Sequence, residues 1–177
     1  IYTSGSTGIP KGVQLSHGGL ANLLRWQQQH ARLAIPAKTL QFASFSFDVS
    51  FQELFATWAQ GGTLVMVDEE LRQDLPALAG FITEQQIERL YLPFAALQPI
   101  AETIVRDGLQ PALRDIIVAG EQLQVTDEVR ALFGKLSGAA LHNQYGPSET
   151  HVVTALTLTG DARGWPYLPP IGTPVAN

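Results

Sequence analysis

Short apolar or β-rich runs alternate with helical stretches along this chain, and that alternation restricts its fold more than any other feature. Residues 40–43, 63–67, 90–92, 115–119, 140–144 and 152–158 read as strands. Between them, Ser16 is expected to cap a helix that runs through Leu20, Leu23, Leu24 and Gln27 to about Leu33. Residues 48–60 read as a helix with Phe51, Leu54, Phe55 and Trp58 on one face and Gly61-Gly62 as its stop. Asp74 caps a helix with Pro76 in its first turn. Residues 94–106 are helical, and Thr126 opens a helix that reaches Leu136. This order predicts an α/β fold, a mainly parallel sheet covered by helices. Residues 160–174 are turn-rich and read as a connecting loop. In such sheets ligands lie beyond the carboxyl ends of the strands. The segments to scrutinise are therefore 44–48, the stretch after Pro93, Gly120-Glu121 and 145–150.

Bulk properties remove several function classes. The chain has 177 residues, 45% hydrophobic and 15% charged, enough for one domain with a sizeable core and unlike a disordered segment. Net charge is −5 and no basic stripe stands out, which argues against nucleic acid or an anionic membrane as a partner. No apolar run could span a bilayer, and no signal-like segment opens the chain. With no cysteine, disulfides, thiolate metal sites and cysteine nucleophiles are excluded and a reducing compartment is allowed; a cytoplasmic location is expected. The four histidines, His17, His30, His142 and His151, are scattered, with no carboxylate partner at useful spacing. Neither a metal site nor a Ser-His-Asp hydrolase is expected from them. His142 alternates with apolar neighbours and reads as a satisfied core residue. The chain starts at Ile1, holds one methionine, Met66, and stops at Asn177 after a Pro/Gly-rich run, as expected of an internal piece of a longer protein.

Three segments carry chemistry. Thr3-Ser4-Gly5-Ser6-Thr7-Gly8-Ile9-Pro10-Lys11-Gly12 offers little packing material. Its glycines admit close backbone approach, and its amides, hydroxyls and ammonium all donate, which suits phosphate. It is not a Walker A loop, because Pro10 precedes Lys11 and Gly12 follows it. The same composition also suits a flexible surface loop. The second segment is Phe45-Ser46-Phe47-Asp48-Val49-Ser50-Phe51-Gln52-Glu53-Leu54-Phe55, where Asp48 read alone is an N-cap. The third is Asn143-Gln144-Tyr145-Gly146-Pro147-Ser148-Glu149-Thr150, a strand that ends in a Gly-Pro turn. Between them lies Val118-Ala119-Gly120-Glu121-Gln122-Leu123, whose Glu121 equally suits a solvated cap.

YTSGSTGIPKGV and YGPSET resemble the phosphate-loop and nucleotide motifs of the adenylate-forming enzymes: acyl-CoA synthetases, luciferases and the adenylation domains of nonribosomal peptide synthetases. FDVSFQELF narrows the resemblance to the last group. The three motifs occur in the family's order, and the likeness covers essentially the whole chain as part of the large N-terminal subdomain. It implies that Thr3, Ser4, Gly5, Ser6, Thr7, Gly8, Lys11 and Ser148 hold the phosphates of ATP, with Glu149 on Mg²⁺. It also implies that Tyr145 stacks on adenine, Asn143 accepts from the exocyclic amine, and Gly120 lines the nucleotide pocket. Many relatives have two glycines where this chain has Ala119-Gly120. The same resemblance gives Asp48 the α-ammonium of an amino acid, a charge-assisted pair that acyl- and aryl-activating relatives do not need.

Carried over from the family, the pocket for the amino acid is Asp48, Val49, Gln52, Tyr91, Ile117, Ala119, Gln144, Val152 and Val153. Phe94 stands where a second proline is common. Besides Asp48 the set has no charge, so it suits a compact apolar side chain. It resembles the pattern of proline-activating domains, which often have His in place of Gln144. That departure leaves room for a ring-enlarged or substituted proline analogue, or for a polar side chain. The implied reaction is formation of an aminoacyl-AMP with release of pyrophosphate. The aminoacyl group then passes to the phosphopantetheine thiol of a carrier domain, with the other synthetase domains in the same polypeptide. No catalytic residue is assigned within the chain. The family's Thr-Gly-Asp motif, hinge and lid lysine have no match in it, so the 177-residue piece alone is expected to be inactive. A carboxylate:CoA ligase shares two of the motifs but not Asp48 and its neighbours. A non-catalytic nucleotide-binding module is the alternative that is not an enzyme.

Overall fold

Apolar runs become strands in this fold, and stretches with one apolar face become the helices that cover them. The computed structural model describes residues 1–3 and 9–175. An antiparallel ribbon, β1 (Tyr2–Thr3) with β2 (Lys11–Gly12), places Thr3 opposite Lys11. There follow α1 (His17–Gln29), β3 (Lys38–Gln41), α2 (Val49–Ala59), β4 (Thr63–Met66), α3 (Glu69–Gln73) and α4 (Leu75–Glu84). The remainder is β5 (Arg89–Leu92), α5 (Phe94–Arg106), β6 (Asp115–Val118), α6 (Asp127–Lys135), β7 (Ala140–Tyr145), β8 (Thr154–Leu158) and β9 (Thr173–Pro174). Seven strands form one sheet in the order β4-β3-β5-β6-β7-β8-β9. The first five are parallel, and β8 and β9 add antiparallel at one edge.

The two-residue period of the strands divides the core. Leu90, Leu92, Ile116, Val118 and Leu141 face a large apolar cluster with residues of α4, α5 and α6. The residues between them, Tyr91 and Ile117, turn to the other face and pack with Leu33, Trp26 of α1 and Val49 of α2. Gln144 falls on that same face by alternation with Leu141. Side-chain caps fix three helix starts: Ser16 accepts from Gly19 N–H, Asp74 from Ala77 N–H and Thr126 from Val129 N–H.

Several boundaries differ from expectation, among them β3, which covers Lys38–Gln41 rather than 40–43. Helix α1 ends at Gln29, where the His30 ring accepts the N–H groups of Arg32 and Leu33 and turns the chain. A short helix, α3, capped by Asp68, precedes the expected one. Strand β8 starts at Thr154 rather than Val152, because the preceding residues are folded into a turn. The 160–174 loop carries a 3₁₀ turn and the edge strand β9, where proline is tolerated.

Buried charge gathers at the amino ends of the central strands. Asp115 and Arg89 face each other in register, both fully buried, 3.2 Å apart. Arg32 Nε and His142 Nε2 each lie 3.2 Å from the other Asp115 oxygen. Burial opposes ionisation of Asp115, but the His142 hydrogen bond and the Arg89 charge outweigh it and hold the carboxyl well below its usual range. Thr157 Oγ1 lies 3.0 Å from His142 Nδ1, so His142 is the satisfied core residue expected. Its carboxylate partner was not expected. Asp115 lies 27 residues away in sequence, and only the pairing of β6 with β7 brings the two together.

A second buried carboxylate shapes the route to Asp48. Glu53 of α2 accepts the N–H groups of Phe42 and Ala43, both at 3.1 Å, and ties the end of β3 to the helix. Burial lifts its carboxyl to about 8 despite these bonds. The folded chain therefore keeps a proton that the unfolded chain loses near 4.5. That contribution to stability is full below the unfolded value and is lost as pH rises through the folded one. Asp115 acts in the opposite sense and only in acid. Denaturant unfolding at pH 5 and at pH 8.5 is expected to show lower stability at the higher pH, with Glu53→Gln flattening the slope. Identical slopes for the two proteins would contradict this.

Candidate functional site

The parallel strands run β4-β3-β5-β6-β7, so chain order switches direction between β3 and β5. Loops leaving the carboxyl ends part there and leave a crevice. A cavity of about 810 Å³ occupies it. Asp48 and Val49 line it from the start of α2, Tyr91 and Ile117 from β5 and β6, and Ala119 from just after β6. Gln144 and Val152 line it from β7 and the turn that follows. The expected nucleotide contacts Gly120, Asn143, Tyr145 and Ser148 border the same space. Gln52 and Val153 do not line it.

Asp48 does not cap α2. Its backbone is already helical, and its side chain accepts no N–H from the first turn. Instead the carboxylate is only 15% exposed, with Oδ2 3.9 Å from His151 Nδ1. His151 is buried at a positive φ of 62°, and its Nδ1 accepts the Val152 N–H at 3.0 Å. Burial lowers the His151 pKa more than the neighbouring Asp48 charge raises it. The neutral imidazole is favoured, and its Nδ1 is already taken as an acceptor by the Val152 N–H. Among the described residues no lysine or arginine pairs with Asp48. The site thus holds a mostly buried carboxylate that lacks a counter-charge, an arrangement that suits an incoming cation.

Beneath Asp48 lies a relay of buried side chains. Gln27 Nε2 donates to Tyr91 Oη at 2.6 Å, and Gln52 Nε2 donates to Gln27 Oε1 at 3.1 Å and to Gln144 Oε1 at 3.0 Å. Burial pushes the Tyr91 phenol up to about 12, so it stays neutral. His151 and Gln27 were not among the expected site residues. Gln27 carried a signal: it is the polar member of the Leu20, Leu23, Leu24 stripe on a buried helix face. His151 carried none, because its conformation depends on the turn before it.

That turn is built on Gly146. A Cβ there would overlap the His151 carbonyl oxygen. Thr150 and His151 N–H both reach the Pro147 carbonyl, at 3.0 and 3.1 Å. Gly146→Ala is expected to cost about 1–3 kcal/mol as an overpacked position and to lower Tm in a thermal melt. An unchanged Tm would contradict the close packing of this turn.

Around the turn, Tyr145 presents a half-exposed ring to the cavity. Asn143 Nδ2 donates to the Pro170 carbonyl at 2.9 Å, leaving its carbonyl oxygen as the end that can accept from a ligand. Gly120 adopts φ 84° at the end of β6. Glu121 accepts the Ala95 N–H at 2.9 Å and so caps α5, the plainer of its two readings. Glu149 is exposed and lines a neighbouring cavity of about 600 Å³ with Ser16, His17 and Phe51. No group of three metal-ligating side chains occurs among the described residues. A lone carboxylate still fits Mg²⁺, which takes one or two carboxylates alongside substrate phosphates. Thr3 and Lys11 sit on the β1–β2 ribbon and line neither cavity. Ser4, Gly5, Ser6, Thr7 and Gly8 lie outside the described residues. No helix among the described residues is long and apolar enough to cross a membrane.

Known proteins share this sequence and fold. The family model described as "AMP-binding enzyme" matches residues 1–177. Tyrocidine synthase 2 of Brevibacillus parabrevis is 44% identical over 178 residues, 100% of this chain and 5% of that protein. Gramicidin S synthase 2 of Brevibacillus brevis is 41% identical over 178 residues, 100% of this chain and 4% of that protein. The chain thus spans about a twentieth of the length of these relatives. Among solved structures, the nonribosomal peptide synthetase FmoA3 matches with a TM-score of 0.85 at 25% identity, over 100% of this chain and 19% of that one. The Vibrio cholerae adenylation domain AlmE, solved with glycyl-adenosine-5'-phosphate, matches with a TM-score of 0.82 at 24% identity, over 99% of this chain and 32% of that one.

Proposed function

The chain belongs to the AMP-binding enzyme family, with nonribosomal peptide synthetases as its relatives, and from that premise we propose that it is part of an adenylation domain that activates an amino acid. The substrate is proline or a proline-like amino acid. The observation that most supports this reading is one cavity lined both by the Asp48 carboxylate, which no lysine or arginine pairs with among the described residues, and by Tyr145, Asn143 and Gly120.

In this mechanism Asp48 holds the substrate ammonium, and Val49, Ile117 and Val152 enclose its side chain. A substrate carboxylate oxygen attacks the α-phosphorus of ATP; a P–O bond forms and pyrophosphate leaves. The work of the protein is alignment and charge neutralisation rather than a nucleophile of its own. Tyr145 stacks on adenine and Asn143 accepts from its amine, while Ser148 and Lys11, with residues 3–8, hold phosphate. Glu149 would hold Mg²⁺, which when bound offsets phosphate charge. The thiol of a carrier domain's phosphopantetheine then attacks the carbonyl, giving a thioester and AMP. These steps belong to the longer protein, proposed to be cytoplasmic, with carrier and other synthetase domains in the same chain. The 177-residue piece alone is proposed to be inactive, since it matches only 32% of a solved adenylation domain.

Substrate-dependent ATP–pyrophosphate exchange by the full-length protein, across the common amino acids, pipecolate, fatty acids and aryl acids, tests the proposal. Exchange driven by proline or its analogues is expected. Exchange driven by fatty or aryl acids, or by a charged or large aromatic amino acid, would contradict it.

A further inference from the structure

The relay beneath Asp48 has an open end. Donation diverges from Gln52: its Nε2 serves Gln27 Oε1 on one side and Gln144 Oε1 on the other, and Gln27 Nε2 passes on to Tyr91 Oη. Gln144 Nε2 is left with no acceptor among the described residues, although Gln144 is only 2% exposed. A buried amide donor without a partner is costly, and native proteins rarely keep one unfilled. Gln144 lines the cavity, and the walls nearest the expected side chain, Val49, Ile117 and Val152, carry no side-chain acceptor. What occupies the cavity can supply the missing oxygen. The other open atom of the relay, Gln52 Oε1, belongs to a fully buried residue that does not line the cavity. A hydroxyl oxygen on the cavity's occupant can accept from Gln144 Nε2, which a hydrocarbon ring cannot.

We propose that the preferred substrate is a proline-like amino acid bearing a ring hydroxyl, with 4-hydroxyproline the simplest case. Gln144 reads that oxygen, and Gln27 and Gln52 are positioning residues that fix which end of the Gln144 amide faces it. The proposal rests on the amino-acid-activating reading above. Carbon 4 is the one ring carbon bonded to neither the α-carbon nor the nitrogen. A substituent there projects away from the groups held at Asp48.

The test is pyrophosphate exchange by the full-length protein with L-proline, cis- and trans-4-hydroxy-L-proline, 4-methyl-L-proline and pipecolate. One hydroxyproline epimer is expected to exceed proline in kcat/KM by about tenfold or more, as for a buried hydrogen bond left unmade by the poorer substrate. The gain should fall mainly in KM, and the methyl analogue should not share it. Gln144→Leu should bring the hydroxyproline-to-proline ratio to about one or below. Gln144→Asn, which keeps a donor, should retain part of the preference, and Gln27→Leu should reduce it through KM. Proline activated as well as both hydroxyprolines by the unmodified protein would overturn the proposal without touching amino-acid activation. Activation of fatty or aryl acids alone would overturn both.

Discussion

Asp48→Ala in the full-length protein is expected to lower kcat/KM for the amino acid by about 30-fold to several thousand-fold, the equivalent of about 2–5 kcal/mol for a buried charge pair deprived of one partner. The reason lies in what surrounds the carboxylate. It is mostly buried, it caps no helix, and its neighbour His151 is a neutral imidazole that accepts a backbone N–H. An ammonium held at Asp48 would find Glu121 as the other carboxylate in the lining, and that side chain is already engaged by the Ala95 N–H. The loss should appear in KM for the amino acid and in turnover, with KM for ATP much less affected. Lys11→Ala is expected to show the reverse, impaired use of ATP. Steady-state pyrophosphate exchange with each substrate varied in turn separates the two patterns. Wild-type behaviour of Asp48→Ala would leave that carboxylate without a role in binding.

The largest effect on stability is expected from Asp115→Ala, a loss of about 3–5 kcal/mol, because it strands a buried guanidinium. Arg89 is fully buried, and Asp115 is its only carboxylate partner among the described residues. Its remaining bonds are to the Gln60 side chain and to backbone carbonyls. Arg32 and His142 lose the same partner. The double variant Asp115→Leu/Arg89→Leu should recover part of the loss, since an apolar pair of suitable volume avoids the stranded charge. Denaturant titrations of the single and double variants decide the point. A single variant within about 1 kcal/mol of wild type, the range of an exposed pair, would show that the cluster contributes little.

Much of the architecture was legible because local chemistry and tertiary packing agree. Ser16, Asp74 and Thr126 cap the helices their side chains suit, and the alternation of strand and helix agrees with the parallel pairing of the first five strands. Residues of the second and third motifs, Asp48, Val49, Asn143, Gln144, Tyr145 and Ser148, border one cavity, whereas Thr3 and Lys11 of the first do not. What was not legible depends on distance in sequence. The Asp115–His142 pair exists only through the pairing of β6 with β7. The relay joins Gln27 of α1, Gln52 of α2 and Gln144 of β7, spanning 92 residues in one of its bonds. Asp48 has the identity of a helix cap and was equally readable as one; only its helical backbone angles and its place beside His151 exclude that role. The left-handed conformation of His151, likewise, belongs to the Gly146 turn rather than to any propensity of histidine.

The central claim is that one crevice holds both halves of an aminoacyl-adenylate. The most direct measurement is a crystal structure of the complete adenylation domain that contains this chain, bound to a non-hydrolysable prolyl-adenylate analogue. The substrate nitrogen is predicted within about 3 Å of an Asp48 oxygen, the distance of a charge-assisted hydrogen bond, with adenine stacked on Tyr145. An analogue bound with its nitrogen away from Asp48, or with adenine outside the space bordered by Tyr145, Asn143 and Gly120, would contradict the account.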